Sequence, residues 1–229
     1  CAVGQCERVF GLTLTNSAFS DNIGAGIWGY GDIVSMTNTI VANTPGGGQD
    51  YIADCPLMSA NNLVEKDNSP CSGFLTGDPL LGALGNYGGS TQTFALLPGS
   101  PAIDAGASCP ATDQRGQARV GTCDIGAFES QGFTLTKTGG DNQSAWPGTN
   151  FIDALEVTVS SSHGEPVNGG QVTFTAVPGD FGQSASLTTS PATIGSDGKA
   201  SVTATANGMG GSYSVTASAS GAASVDFSL

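Results

Sequence analysis

Six charged side chains crowd one stretch of this chain: Asp104, Asp113, Arg115, Arg119, Asp124 and Glu129. Carboxylates gathered beside a guanidinium are what a polysaccharide-cleaving site uses. One acid gives a proton and another takes one, or several oxygens hold Ca2+. "TDQRG" sets Asp113 two residues before Arg115, and Asp104 stands in "LLPGSPAIDAG", between prolines that fix φ and glycines that allow tight turns. The competing reading is architectural. A planar guanidinium suits sealing irregular backbone, and an aspartate in a tight loop accepts the loop's own N–H groups or pairs with an arginine. The architectural reading is preferred, so no catalytic residue is assigned. Asp104, Asp113, Arg115 and Asp124 are expected to form a cap network, with Asp104 as an acceptor or as a partner of Arg115.

Other candidates are weaker. Trp28 and Tyr30 in "GIWGYGD" have the composition of a sugar-stacking platform, or else of buried aromatics closing a turn of the chain. His163, the one histidine, lies in the turn-like "SSSHGEPV", which suits an exposed residue better than a Ser-His-Asp triad. "SDNIGAG" and "GDFG" contain oxygen donors but match no calcium loop, so calcium is a weak expectation and no cofactor is assigned. "TPGGGQD" lacks the Lys-Ser/Thr of a phosphate cradle.

Short Thr-, Val- and Ser-rich runs broken by Gly, Asn and Asp, with no sustained helical periodicity, predict an all-β protein. The net charge of −13, without a basic cluster, disfavours nucleic acid and anionic membrane surfaces. No apolar run is long enough to span a bilayer, so direct membrane insertion is not expected. The six cysteines form three close pairs, Cys1/Cys6, Cys55/Cys71 and Cys109/Cys123, without zinc-site spacing. Local disulfides in an oxidising, extracellular compartment are the expectation, with nearest-neighbour pairing as a guess. The absence of an initiator methionine and signal peptide suggests a mature form or a fragment of something longer.

The texture changes near residue 130. Residues 1–130 hold every cysteine and carry −8, from 4 basic and 12 acidic residues; residues 131–229 carry −5, from 2 and 7. In the first part "LTNSAFSDN", "MTNTIVANT" and "SANNLVEKDN" share an order of residue types around Asn16, Asn38, and Asn61 and Asn62. That period of 22 to 23 residues predicts a parallel β-solenoid with one period per coil. Asn tolerates the left-handed bend, and its amide can bond the equivalent position of the next coil. Leu14, Phe19, Met36, Ile40 and Leu63 would stack inside. Asp21, Asp32, Asp50 and Asp54 do not recur at that period, so no row of paired carboxylates lines the coils. In the second part Leu155, Val157 and Val159 alternate, as do Val172, Phe174 and Ala176, and about seven strands predict a two-sheet sandwich.

"GDPLLGALGNYGGSTQTFALLPGSPAIDAG" followed by "CPATDQRGQARVGTCDIGAFES" resembles the C-terminal end of bacterial β-helix proteins of the choice-of-anchor Q group, over Gly77 to Glu129. The resemblance implies the C-terminal part of a right-handed parallel β-helix with its cap over about residues 1–130. "EVTVSSSHGEPVNGGQVTFTAVP" and "GSDGKASVTATANGMGGSYSVTASASG" resemble bacterial immunoglobulin-like domains of invasin and intimin type, with Ser161 where Asp is usual. This implies an immunoglobulin-like β-sandwich over about 131–229, a common spacer of surface proteins. The expected function is an extracellular bacterial structural or adhesive protein at the cell surface that meets other surface proteins, glycans or itself. An exposed coil edge would suit a head-to-tail filament. The alternative is a secreted carbohydrate-binding or polysaccharide-cleaving protein with a spacer.

Overall fold

A computed structural model describes residues 12–29, 33–56, 58–67 and 71–229. The described residues are all-β: twenty short strands, one 3-10 turn at Pro45–Gly47 and no α-helix. No helix among them is long and apolar enough to cross a membrane. The chain divides into two compact units, residues 1–96 with 101–130, and residues 97–100 with 131–229.

The first unit is a stack of parallel ladders. Its strands are β1 (Leu12–Thr15), β2 (Ala18–Ser20), β3 (Ile27–Gly29), β4 (Ile33–Thr37), β5 (Ile40–Ala42), β6 (Tyr51–Ala53), β7 (Met58–Ala60), β8 (Asn62–Val64), β9 (Phe74–Leu75), β10 (Leu81–Gly85) and β11 (Thr93–Leu96). Three sheets run β1-β4-β7, β2-β5-β8-β9 and β3-β6, every pairing parallel. The registers Leu14↔Met36, Phe19↔Val41 and Met36↔Ser59 place residues one sequence period apart side by side. The strands are three to five residues long because a left-handed bend interrupts them at fixed places. Asn16 (φ 46°), Asn38 (φ 49°) and Asn61 (φ 51°) each break a strand pair, and Asp21 (φ 58°) and Asn43 (φ 57°) make a second stack of bends. Asn and Asp accept this region at lower cost than branched residues do. Asn38 Nδ2 donates to Asn16 Oδ1 at 3.2 Å, joining two bends one sequence period apart.

Between the ladders Met36, Val41, Tyr51 and Val64 form a buried cluster, flanked by half-buried Leu14, Phe19, Ile27 and Phe74. Tyr51 meets Phe74 edge-on at 5.5 Å, and its hydroxyl donates to the carbonyl of Asp54 at 2.7 Å. At Gly26 any Cβ would collide with the Val41 side chain, so the close approach of β3 to the core requires glycine. The disulfides Cys55–Cys71 and Cys109–Cys123, both nearest-neighbour pairs, lie in this unit. Cys1, Cys6 and Tyr30 fall outside the described residues.

The second unit is antiparallel, with strands β12 (Thr134–Gly139), β13 (Leu155–Ser160), β14 (Gln171–Val177), β15 (Ala185–Leu187), β16 (Ala192–Thr193), β17 (Lys199–Val202), β18 (Ala204–Ala206), β19 (Ser214–Ser218) and β20 (Val225–Ser228). They form sheets β12-β13-β17, β16-β14-β19-β20 and β15-β18. Leu155, Val157 and Val159 on β13, Val172 and Phe174 on β14, and Val215 and Ala217 on β19 alternate with more exposed neighbours and make the core. Ala176 is only half-buried. "ASVTATAN", which reads as one strand, is two. At Thr203 the N–H turns to Thr188 Oγ1 at 2.9 Å, so β17 pairs with β13 while β18 pairs with β15. Leu97–Ser100 belongs to this unit: the Pro98 carbonyl accepts the Gln171 N–H at 2.8 Å.

Candidate functional site

The charged stretch of the first unit is positioned by a loop without regular strands. β10 and β11 pair as a hairpin, and residues 101–130 then turn through left-handed points at Asp104 (φ 57°) and Ser108 (φ 55°). A single bridge, Thr112↔Ala118, and the Cys109–Cys123 disulfide close its sub-loops. Such a path leaves many backbone N–H groups without a ladder partner, and buried N–H groups need one.

Carboxylates supply those partners. Asp113 accepts the N–H of Arg115 at 2.8 Å and of Gln117 at 3.1 Å on one oxygen, and that of Glu129 at 3.0 Å on the other. Glu129 accepts the N–H of Val120 at 2.9 Å and of Asp124 at 2.9 Å. Asp124 accepts the N–H of Asp104 at 2.8 Å and of Ser130 at 2.6 Å. All three acids are buried, Glu129 completely.

Two guanidinium groups compensate this charge. Arg115 Nε donates to Asp113 Oδ2 at 2.8 Å, its Nη2 donates to the Glu129 carbonyl, and its plane lies 3.5 Å from the centre of the Phe128 ring. Arg119 Nη1 donates to Glu129 Oε2 at 2.6 Å and to the Asp124 carbonyl at 3.1 Å. Both arginine side chains are at least nine-tenths buried, so these pairs sit where losing one partner is costly. Burial pushes the Asp124 carboxyl up to about 7. The N–H bonds from Asp104 and Ser130 pull it down, and the nearby Glu129 and Asp104 charges push it further up.

Asp113, Arg115 and Asp124 thus meet in one network. Asp104 enters it differently from expectation: Arg115 is held by Asp113, and Asp104 contributes its N–H while its side chain is exposed. The left-handed backbone at Asp104 accompanies this arrangement, with N–H bonded inward and carboxylate outward. Arg119 and Glu129, which lie outside the expected cap network, form the second ion pair. Their spacing of ten residues across a loop leaves no periodic signal.

The network continues to the parallel strands through Asn38. Its side-chain oxygen accepts the Ala107 N–H at 3.1 Å, its Nδ2 donates to the Ala107 carbonyl at 2.8 Å, and its own carbonyl accepts the Gly126 N–H at 2.9 Å. One buried amide therefore ties the bend after β4 to Asn16 and to the loop. Asp50, fully buried, plays a similar part among the parallel strands, accepting the N–H of Thr44 and of Lys66, each at 2.9 Å. Asn62 does so too, accepting the Thr39 N–H and donating to the Met36 carbonyl. Asn62 stands in the repeat beside Asn61, whereas Asp50 does not stand out in the sequence, since a lone polar residue beside apolar ones also fits an exposed turn.

Trp28 is mostly exposed on β3. His163 sits in an exposed turn of the second unit, its N–H donating to Ser161 Oγ. Among the described residues no group of three or more His, Cys, Asp or Glu is placed to hold a metal ion. No family model, curated protein or solved structure matches the chain.

Proposed function

We propose that this chain is an extracellular bacterial scaffold with a structural or adhesive role at the cell surface. In this reading the first unit is the C-terminal part of a right-handed parallel β-helix with its cap, and the second an immunoglobulin-like spacer. One observation carries it: the acids Asp113, Asp124 and Glu129 are each engaged by two or more backbone N–H groups and are buried. A general acid or base must instead reach its substrate. The two disulfides are compatible with an oxidising, extracellular setting. Head-to-tail stacking of coil edges into a filament belongs to the same proposal. Electron microscopy is expected to show linear assemblies, and only monodisperse particles at micromolar concentration would remove that part.

The test of the scaffold reading is a polysaccharide panel run with the chain and with its Arg115→Ala and Asp104→Ala variants. The expected outcome is no depolymerisation by any of them, together with a marked loss of melting temperature for Arg115→Ala. Release of reducing or unsaturated ends, lost in either variant at a temperature where it is still folded, would overturn the reading.

A further inference from the structure

Asn-Gly is the dipeptide in which an asparagine side chain reacts most readily with its own backbone. Glycine has no Cβ to shield the amide nitrogen from the side-chain carbonyl carbon. The chain has two such pairs, Asn168-Gly169 and Asn207-Gly208, both in the second unit. Their backbone nitrogens are in opposite states.

Asn168 is exposed, but the Gly169 N–H donates to the Ile194 carbonyl at 2.9 Å. The next residue is fixed as well: the Gly170 N–H reaches the Val167 carbonyl at 3.0 Å, and the Gly170 carbonyl accepts the Ile194 N–H at 2.8 Å. Reaction at Asn168 must first break the bond at Gly169. At the other pair Gly208 is exposed, and its N–H has no hydrogen-bond partner among the described residues. Nothing lies within 4 Å of the place a Gly208 Cβ would take.

The Asn207 amide is held beside this free nitrogen. Its Oδ1 accepts the Met209 N–H at 3.1 Å, and its Nδ2 donates to the Gly182 carbonyl at 2.7 Å. The Met209 N–H therefore faces the oxygen on which negative charge develops when the side-chain carbonyl carbon is attacked. Holding the amide in one orientation also reduces the entropy lost on ring closure.

We propose that Asn207-Gly208 is a self-modifying site that deamidates ahead of Asn168-Gly169, and that the change releases a tie between loops. The Gly208 nitrogen bonds to Asn207 Cγ and gives up its proton to water, closing a succinimide ring. The Cγ–Nδ2 bond breaks, and Nδ2 leaves as ammonia with a proton from water. Water then opens the ring at either carbonyl, giving aspartate or isoaspartate. The net change is hydrolysis of one amide, with no oxidation or reduction.

Asn207 joins three loops, so the product matters. Residues 140–154 join β12 to β13, 178–184 join β14 to β15, and 207–213 join β18 to β19. The Asn207 N–H donates to the Ser184 carbonyl at 2.9 Å, and its carbonyl accepts the Gly148 N–H at 2.9 Å. After deamidation a carboxylate oxygen stands where Nδ2 donated, so two acceptors face each other at Gly182. Isoaspartate goes further, because the chain then runs through Cγ and the carbonyl that served Gly148 becomes a free carboxylate.

The experiment is incubation of the whole chain in mildly alkaline buffer at physiological temperature, followed by peptide mapping with mass spectrometry. Asn207 is expected to convert about fivefold faster than Asn168, the ratio that one backbone hydrogen bond carries. Gly208→Ala should slow conversion at Asn207 without lowering the melting temperature, since its Cβ meets nothing and Gly208 is not left-handed. Asn207→Asp, which supplies the product's charge at once, should lower the second unit's melting temperature by about 4 °C. No conversion at Asn207, conversion at Asn168 as fast or faster, or a Gly208→Ala rate equal to the parent's would overturn the site. An Asn207→Asp variant that melts with the parent would overturn the release of the loops.

Discussion

The two units of this chain solve the same problem, holding short strands together, with opposite materials. The first buries charge: Asp50, Asp113, Asp124 and Glu129 are inside it, with Asn38 and Asn62. The second buries an alternating apolar set, and its buried polar side chains are few, Glu165 and Gln183 among them. The difference follows from strand length. Strands of five to seven residues such as β13, β14 and β19 satisfy most of their backbone in ladders and carry a full alternating face. Strands of three residues such as β2, β5 and β8 end before they can do so, and the loop of residues 101–130 has a single bridge. Side-chain acceptors must then replace the missing ladder, and buried arginines pair with Asp113 and Glu129 among them.

If this contrast is right, perturbing charge should affect one unit and spare the other. The largest effect is expected for Arg115→Ala, which strands Asp113 in the interior. Calorimetry should show the first unit's transition losing about 3–5 kcal/mol, while the second unit's stays in place. A shift of both, or of neither, would blur the distinction. Replacing Cys109 and Cys123 together by serine should cost the first unit about 2–4 kcal/mol, read by denaturant titration against the parent. Asn38→Gly keeps the left-handed bend but loses the bonds to Ala107 and Asn16. A loss of about 1–3 kcal/mol is expected, whereas Asn61→Gly should change little.

A further effect is set by pH. The Asp124 carboxyl is raised from 3.8 to about 7 in the folded chain, so folding favours its protonated form. Its contribution is fully present below about pH 4 and is lost as pH rises through 7. The first unit should therefore melt lower at pH 7.5 than at pH 5. Carbon-13 titration of the Asp124 carboxyl should have its midpoint near 7, and a midpoint near 4 would show that its two N–H bonds outweigh its burial.

Much of this architecture can be read from residue types. The spacing of Asn16 and Asn38 announces stacked bends because only a few residues accept φ near +50°. The alternation of Leu155, Val157 and Val159 announces a one-sided sheet, and the closeness of Cys55 to Cys71 and of Cys109 to Cys123 suggests local bridges. What escapes has no period. Thr203 splits a strand because its N–H finds Thr188, a partner fifteen residues away. Leu97–Ser100 groups with the second unit through Gln171, far along the chain. In the candidate site, Asp113 and Arg115 are legible as neighbours, while the pairing of Arg119 with Glu129 depends on how the loop closes. Asp104 shows the limit most clearly. Its position in a tight turn is readable, but whether its N–H or its carboxylate points inward is decided by backbone geometry.

The claim that the carboxylates of residues 101–130 fasten backbone is tested most directly by amide hydrogen exchange in the Glu129→Gln variant. The amides of Val120 and Asp124, which donate to Glu129, should lose protection together, while those of β13 and β19 keep theirs. Unchanged protection at Val120 and Asp124 would contradict the account.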